Sequence, residues 1–209
     1  MIKIVSAGLL VAALLTGASG DAVRADDTTT PDHQSVGFFA EHTGGTLVSC
    51  NITFNAVTRD YVYAAGRPVT LNGSFGIMAM QGKVFLVSKF VPSDPHLTMS
   101  GGIDLTTFTP PLAYFVLNGS STIGQDFKTF TCDAGGICAA YRIDHLVQPF
   151  MTSFQPGGGF DVAYARVAGG LDVTTHIKLP DPRRREADGE AMLKYEQCVM
   201  DLMQSAKSR

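Results

Sequence analysis

Past its first 45 residues, the chain breaks into short apolar segments cut by Gly, Asn and Pro, and few of these segments show a helical period. Leu47–Phe54 is β-rich with partial alternation, and Lys83–Val91 is a nearly continuous apolar run of the kind a buried strand carries. Ala113–Leu117, Phe127–Cys132 and Ile137–Ile143 continue the series, and Phe160–Val167 with Leu171–Leu179 form a hairpin around Gly169-Gly170. Strands spaced this way predict a mainly β fold: an antiparallel sandwich or an open barrel.

Two segments read as helix. Asp144 is placed to cap a short helix from His145 to about Phe154, although Pro149 limits it to a turn or so on either side. The second is C-terminal and amphipathic, over 182–206, with Asp181 as N-cap and Pro182 at the first helical position. Ala187, Ala191, Tyr195, Val199, Leu202 and Ala206 recur at helical spacing, flanked by Met192, Cys198 and Met203, and this face is expected to dock on the sheet.

The N-terminus has another texture. Lys3 precedes an apolar run from Ile4 to Leu15, followed by small residues, and Val23 and Ala25 fit the −3 and −1 positions of a cut before Asp26. The run is too short for a stable membrane span, and no later segment approaches the length one needs. Residues 1–25 therefore read as a signal peptide, with cleavage before Asp21 as the second choice. Residues 26–45 read as a disordered or loosely ordered lead-in, and 46–206 as one β-rich domain. A periplasmic or secreted protein follows from this.

Of 209 residues, 45% are hydrophobic and 17% charged, enough for a large core without metals or many staples. Without residues 1–25 the chain carries 14 basic and 18 acidic side chains. No basic field is present to hold a nucleic-acid backbone. Arg183, Arg184 and Arg185 form the one basic cluster, read as a solvated helix start.

Cysteine use agrees with export. All four cysteines lie in the mature region, and an even count in an oxidising compartment reads as two disulfides with three possible connectivities. Cys132 and Cys138 flank Asp133-Ala134-Gly135-Gly136-Ile137, a turn-forming stretch that lets them close a hairpin. That leaves Cys50 for Cys198, tying an early strand to the C-terminal helix. No C-x-x-C and no suitably placed His support a zinc or thiol-redox site.

A search for catalytic chemistry finds little. There is no G-x-S-x-G elbow, and Gln155-Pro156-Gly157-Gly158-Gly159 lacks the Lys-Ser/Thr ending of a phosphate loop, so it reads as a connector. The five histidines are scattered. A hydrolase assembled from separated Asp and His residues is the alternative, and it would show as a concave pocket holding His145 or His176 beside an Asp. No cofactor or metal is implied. Leu71-Asn72-Gly73-Ser74 and Leu117-Asn118-Gly119-Ser120 both read as turns, and with Asn51-Ile52-Thr53 they make three glycosylation sequons.

Phe127-Lys128-Thr129-Phe130-Thr131-Cys132 followed by Gly136-Ile137-Cys138-Ala139-Ala140 resembles the invasion-associated locus B family of small exported bacterial proteins. The segment Asp144 to Gly157, the strands Phe160–Val167 and Leu171–Leu179 and the terminal helix follow that family's order. Leu47-Val48-Ser49-Cys50 is similar to its first cysteine segment, and Lys83–Val91 to its central strand. The chain lacks the family's Trp before the first Cys and the second Cys shortly after it, and carries Cys198 instead. His96–Leu105 is only loosely similar to the family's Pro-Leu-Gly stretch. The resemblance implies a β-rich exported protein that acts by surface binding to a host-cell or envelope partner. It implies no enzymatic activity and supplies no catalytic residue.

Overall fold

The computed structural model describes residues 28–132, 135–184 and 188–207. The expected signal segment and its cleavage site lie outside these residues. The fold is a β-sandwich of two sheets with a short mid-chain helix and a C-terminal helix.

The larger sheet is antiparallel. Its order is β2 (His33–Thr43), β3 (Thr46–Asp60), β4 (Arg67–Met80), β5 (Lys83–Leu97), β10 (Ile137–Arg142) and β9 (Asp126–Thr131), and β6 (Ile103–Thr107) pairs with the last residues of β5. The smaller sheet runs β1 (Thr28–Thr29), β12 (Val173–Lys178), β11 (Gly159–Ala165), β7 (Leu112–Leu117) and β8 (Ser120–Ser121). Helix α1 covers Val147–Ser153 and α2 covers Gly189–Lys207.

Alternation sends Ile52, Phe54, Ala56, Leu71, Phe75, Ile77, Leu86 and Phe90 of the large sheet to one face, where they meet Phe115, Leu117, Phe160, Val162 and Ile177 of the small one. Phe75 sits at the centre of an aromatic cluster, its ring 4.8 Å from Phe115 and 5.6 Å from Phe154. Phe154 stacks on Phe160 at 5.4 Å and meets Tyr195 of α2 at 5.7 Å. The two helices thus close the same core that the sheets enclose.

Both disulfides expected from the sequence are present. Cys50 joins Cys198 with Cα atoms 5.9 Å apart, and Cys132 joins Cys138 at 5.6 Å.

Four expectations are corrected. The lead-in is ordered from Thr28 onward: His33–Thr43 pairs residue by residue with β3, because Val36 and Phe38 find cover against the sheet and α2. Leu71–Ser74 is not a turn but the middle of β4, whereas Leu117–Ser120 is a turn with Asn118 and Gly119 both at positive φ. Asp144 does not cap α1, which starts at Val147 with no side-chain cap and carries Pro149 inside its first turn, where a missing N–H costs nothing. The C-terminal helix begins at Gly189. Asp181 instead caps a single 3-10 turn, Pro182–Arg184, and Asp188 at φ +65° separates this turn from α2.

Candidate functional site

The sandwich has two unlike ends. At one, Cys50 near the start of β3 is stapled to α2, and Phe150 of α1 stacks on Phe154, which meets Tyr195 of α2. Ten residues further along β3, roughly 33 Å away at strand rise, lies the other end, where three connections meet. They are the β3–β4 turn, the β5–β6 hairpin and the β11–β12 turn. The registers Asp60↔Arg67, Ser93↔Thr107 and Tyr164↔Val173 place all three at this end.

Arg166 knots them together. Its Nε donates to Asp60 Oδ2 at 2.6 Å, and its two Nη groups donate to Asp94 Oδ2 and Oδ1 at 2.8 and 2.6 Å. The guanidinium also lies 4.1 Å from the centroid of the Phe108 ring. Asp60 is fully buried; its other oxygen accepts the Tyr63 N–H at 2.8 Å, which shapes the β3–β4 turn. Tyr63 Oη in turn donates to the Leu171 carbonyl, joining that turn to the β11–β12 turn. The hydrogen bonds from Arg166 hold the Asp94 carboxyl below its ordinary pKa. Those same bonds, opposed by burial, hold the guanidinium above its own. Every nitrogen of this guanidinium is engaged within the fold, so it organises the end and does not offer itself to a ligand.

What this end does offer is apolar surface. Sixteen large hydrophobic side chains are exposed among the described residues, and nine of them belong to these connections and the adjoining start of β7. Tyr61 and Val62 crown the β3–β4 turn, and Val167 and Leu171 flank the β11–β12 turn. Leu97, Met99, Ile103 and Leu105 lie on the β5–β6 hairpin, and Leu112 opens β7. Beyond Ser93, β5 has left β4 and pairs only with β6, so residues 94–106 form a projecting arm. Pro95↔Leu105 and Leu97↔Ile103 stand opposite one another and share one face of the arm, while His96↔Asp104 occupy the other. The tip between Leu97 and Ile103 is uncharged, and Thr98 closes it by exchanging hydrogen bonds with Gly101, Gly102 and Ser100.

The histidines fall elsewhere. His145 is exposed ahead of α1. His176 does stand beside an aspartate: its Nδ1 is 2.6 Å from Asp161 Oδ1, across the β11–β12 ladder on the outer face of the small sheet. A relay would need a nucleophile at Nε2, yet that nitrogen stands over Gly159, so close that a Cβ there would lie 2.7 Å away. Among the described residues, no three His, Cys, Asp or Glu side chains gather as a metal would require. No described helix is long and apolar enough to cross a membrane.

The sequence reading missed the Arg166 knot entirely. Asp60 and Asp94 lie 106 and 72 residues from Arg166, and no local pattern joins them. The arm had a signal, since Ser100-Gly101-Gly102 between the alternating segments His96–Met99 and Ile103–Thr107 is hairpin chemistry.

Family models, curated proteins and solved structures were all searched, and none matches this chain. The likeness to the invasion-associated locus B family therefore rests on its residue pattern alone.

Proposed function

We propose that this protein is an exported, non-enzymatic binding domain that engages a protein or cell-envelope partner through the loop end of its sandwich. The observation that carries the reading is the gathering of nine exposed large hydrophobics around one knot of turns. Exposed apolar surface concentrated in this way marks an interaction site, and Arg166 fixes the turns that present it. Export is supported by the apolar N-terminal run and by two disulfides with no free thiol among the described cysteines. The pattern shared with the invasion-associated locus B family points the same way.

The test is photo-crosslinking in the producing cell, with a benzophenone amino acid at position 99 in one strain and at position 200 on α2 in another. A discrete adduct from position 99 and none from 200 is the expected result. Equal labelling from both positions, or none from 99, refutes the loop end as the binding surface. A chain that keeps Met1 and stays in the cytoplasm refutes export.

A further inference from the structure

Resting on that reading of the loop end, we infer that the occupant of the β5–β6 arm is a second copy of this chain, added antiparallel along β6 across a two-fold axis. The argument begins with the parity of backbone groups. Phe108 N donates to the Pro92 carbonyl, and Gly102 O accepts from Thr98 N, so the even-numbered residues of the β6 segment turn their N–H and C=O groups toward β5. Pro95, which has no N–H, faces Leu105 in the register, as this parity requires. The odd residues Ile103, Leu105 and Thr107 therefore point their backbone groups away from the sheet, along an edge that no described strand covers.

The other edges are short or guarded in part, and the arm's own β5 edge beyond Ser93 carries Pro95. On β2, the Gln34 side-chain amide pairs with the backbone of Lys178, and the Asp188 carboxylate accepts the Val36 N–H. Strands β1 and β8 are two residues each, and β9 carries Asp126 and Lys128 with a register shift in its pairing. β6 has no Pro and no bulge, all five of its residues are exposed, and its one charge, Asp104, lies on the face away from the apolar side chains. An extended edge of this kind accepts another strand.

Parity and charge together select the partner's register. Outward-pointing residues must meet outward-pointing residues, which allows the two-fold axis on Asp104 or on Leu105; the first would set Asp104 against its twin, so the axis falls on Leu105. Leu105 then faces its own copy and Ile103 faces Thr107, giving about six new backbone hydrogen bonds. Asp104 faces Thr106, not its twin, so no like charges are opposed. The apolar faces of the two arms become one continuous surface. Leu97 is 84% exposed and Met99 fully so, and with Ile103 and Leu105 they make a patch on the order of 500 Å² per chain. Pairing lays these patches edge to edge, with Leu105 packed beside its copy and Ile103 beside Thr107.

The test uses protein purified from cells expressing the full chain. Light scattering across a hundredfold concentration range is expected to give twice the single-chain mass, and Leu105→Pro, which removes the N–H at the axis, is expected to return it to the single-chain mass. Leu105→Cys should oxidise to a covalent dimer, because Cα atoms in such a pair lie about 5.5 Å apart, within disulfide reach. Asp104→Cys, diagonal to its twin at roughly 8 Å, should not. A single-chain mass throughout, or equal cross-linking by the two cysteine variants, overturns the inference. If a monomer still gives a heavier adduct at position 99, or floats with phosphatidylcholine vesicles, the second copy is refuted while the loop end stands as a binding surface for another partner. A monomer with neither property refutes both.

Discussion

Arg166 shows how much one side chain can organise. It brings together two carboxylates from β3 and β5 and an aromatic ring from the segment after β6, and it does so partly buried, where desolvating a charge is expensive unless every bond is made. Arg166→Ala would leave the fully buried Asp60 without its counter-charge. The expected loss is about 3–5 kcal/mol in urea unfolding, the usual cost of orphaning one member of a buried pair. Arg166→Lys keeps the charge but cannot bridge both carboxylates, and should fall between alanine and wild type. The same cluster gives a pH dependence. Because the folded Asp94 carboxyl has a pKa below its unfolded value, its contribution is complete above the ordinary carboxylate range near pH 4 and is lost as pH falls through the lower, folded value. Thermal melts between pH 6 and pH 2 should show this acid limb, and Asp94→Asn should flatten it.

At the scale of elements, one tetrapeptide adopts two structures. Leu-Asn-Gly-Ser makes a turn at 117–120, where Asn118 and Gly119 take the left-handed conformation, and a central strand at 71–74. The difference is tertiary. In β4 a Cβ at Gly73 would lie 2.5 Å from both the Phe54 ring and the Lys89 carbonyl, so that glycine is present for close approach, not for turning. Gly73→Ala should destabilise the fold by about 1–3 kcal/mol, measured by urea unfolding, whereas Gly82→Ala in the β4–β5 turn meets nothing and bears only its positive φ. This is why β4 was illegible in the sequence while Lys83–Val91, a nearly continuous apolar run, was plain. β2 was hidden for a related reason: its polar pattern becomes a strand only when β3 and α2 are there to cover Val36 and Phe38. The disulfides were legible because cysteine count and turn chemistry are local or compositional signals. The longer one spans 148 residues, and replacing Cys50 and Cys198 with serine should cost about 2–5 kcal/mol. Amide exchange should then rise first in α2, which that bond anchors.

The whole molecule is polar in a structural sense, and this has a measurable consequence. One end is closed by helix, staple and stacked rings; the other is held by hydrogen bonds and one guanidinium, and carries most of the exposed apolar side chains. Folding energy and surface apolarity are thereby separated. Leu97 and Met99 touch solvent and not the core, so Leu97→Ser with Met99→Ser should leave the melting temperature within the scatter of ordinary surface changes. Binding of an environment-sensitive apolar dye should nevertheless drop severalfold, because those two side chains head the arm's apolar face. Leu193→Ser with Met200→Ser removes two half-exposed apolar side chains from α2, where they stand singly among charges, and should change dye binding little. If the two double variants lost dye equally, the apolar surface would be spread evenly over the molecule and the loop end would have no special standing. Loss confined to the arm pair would place the adhesive surface where the three turns meet.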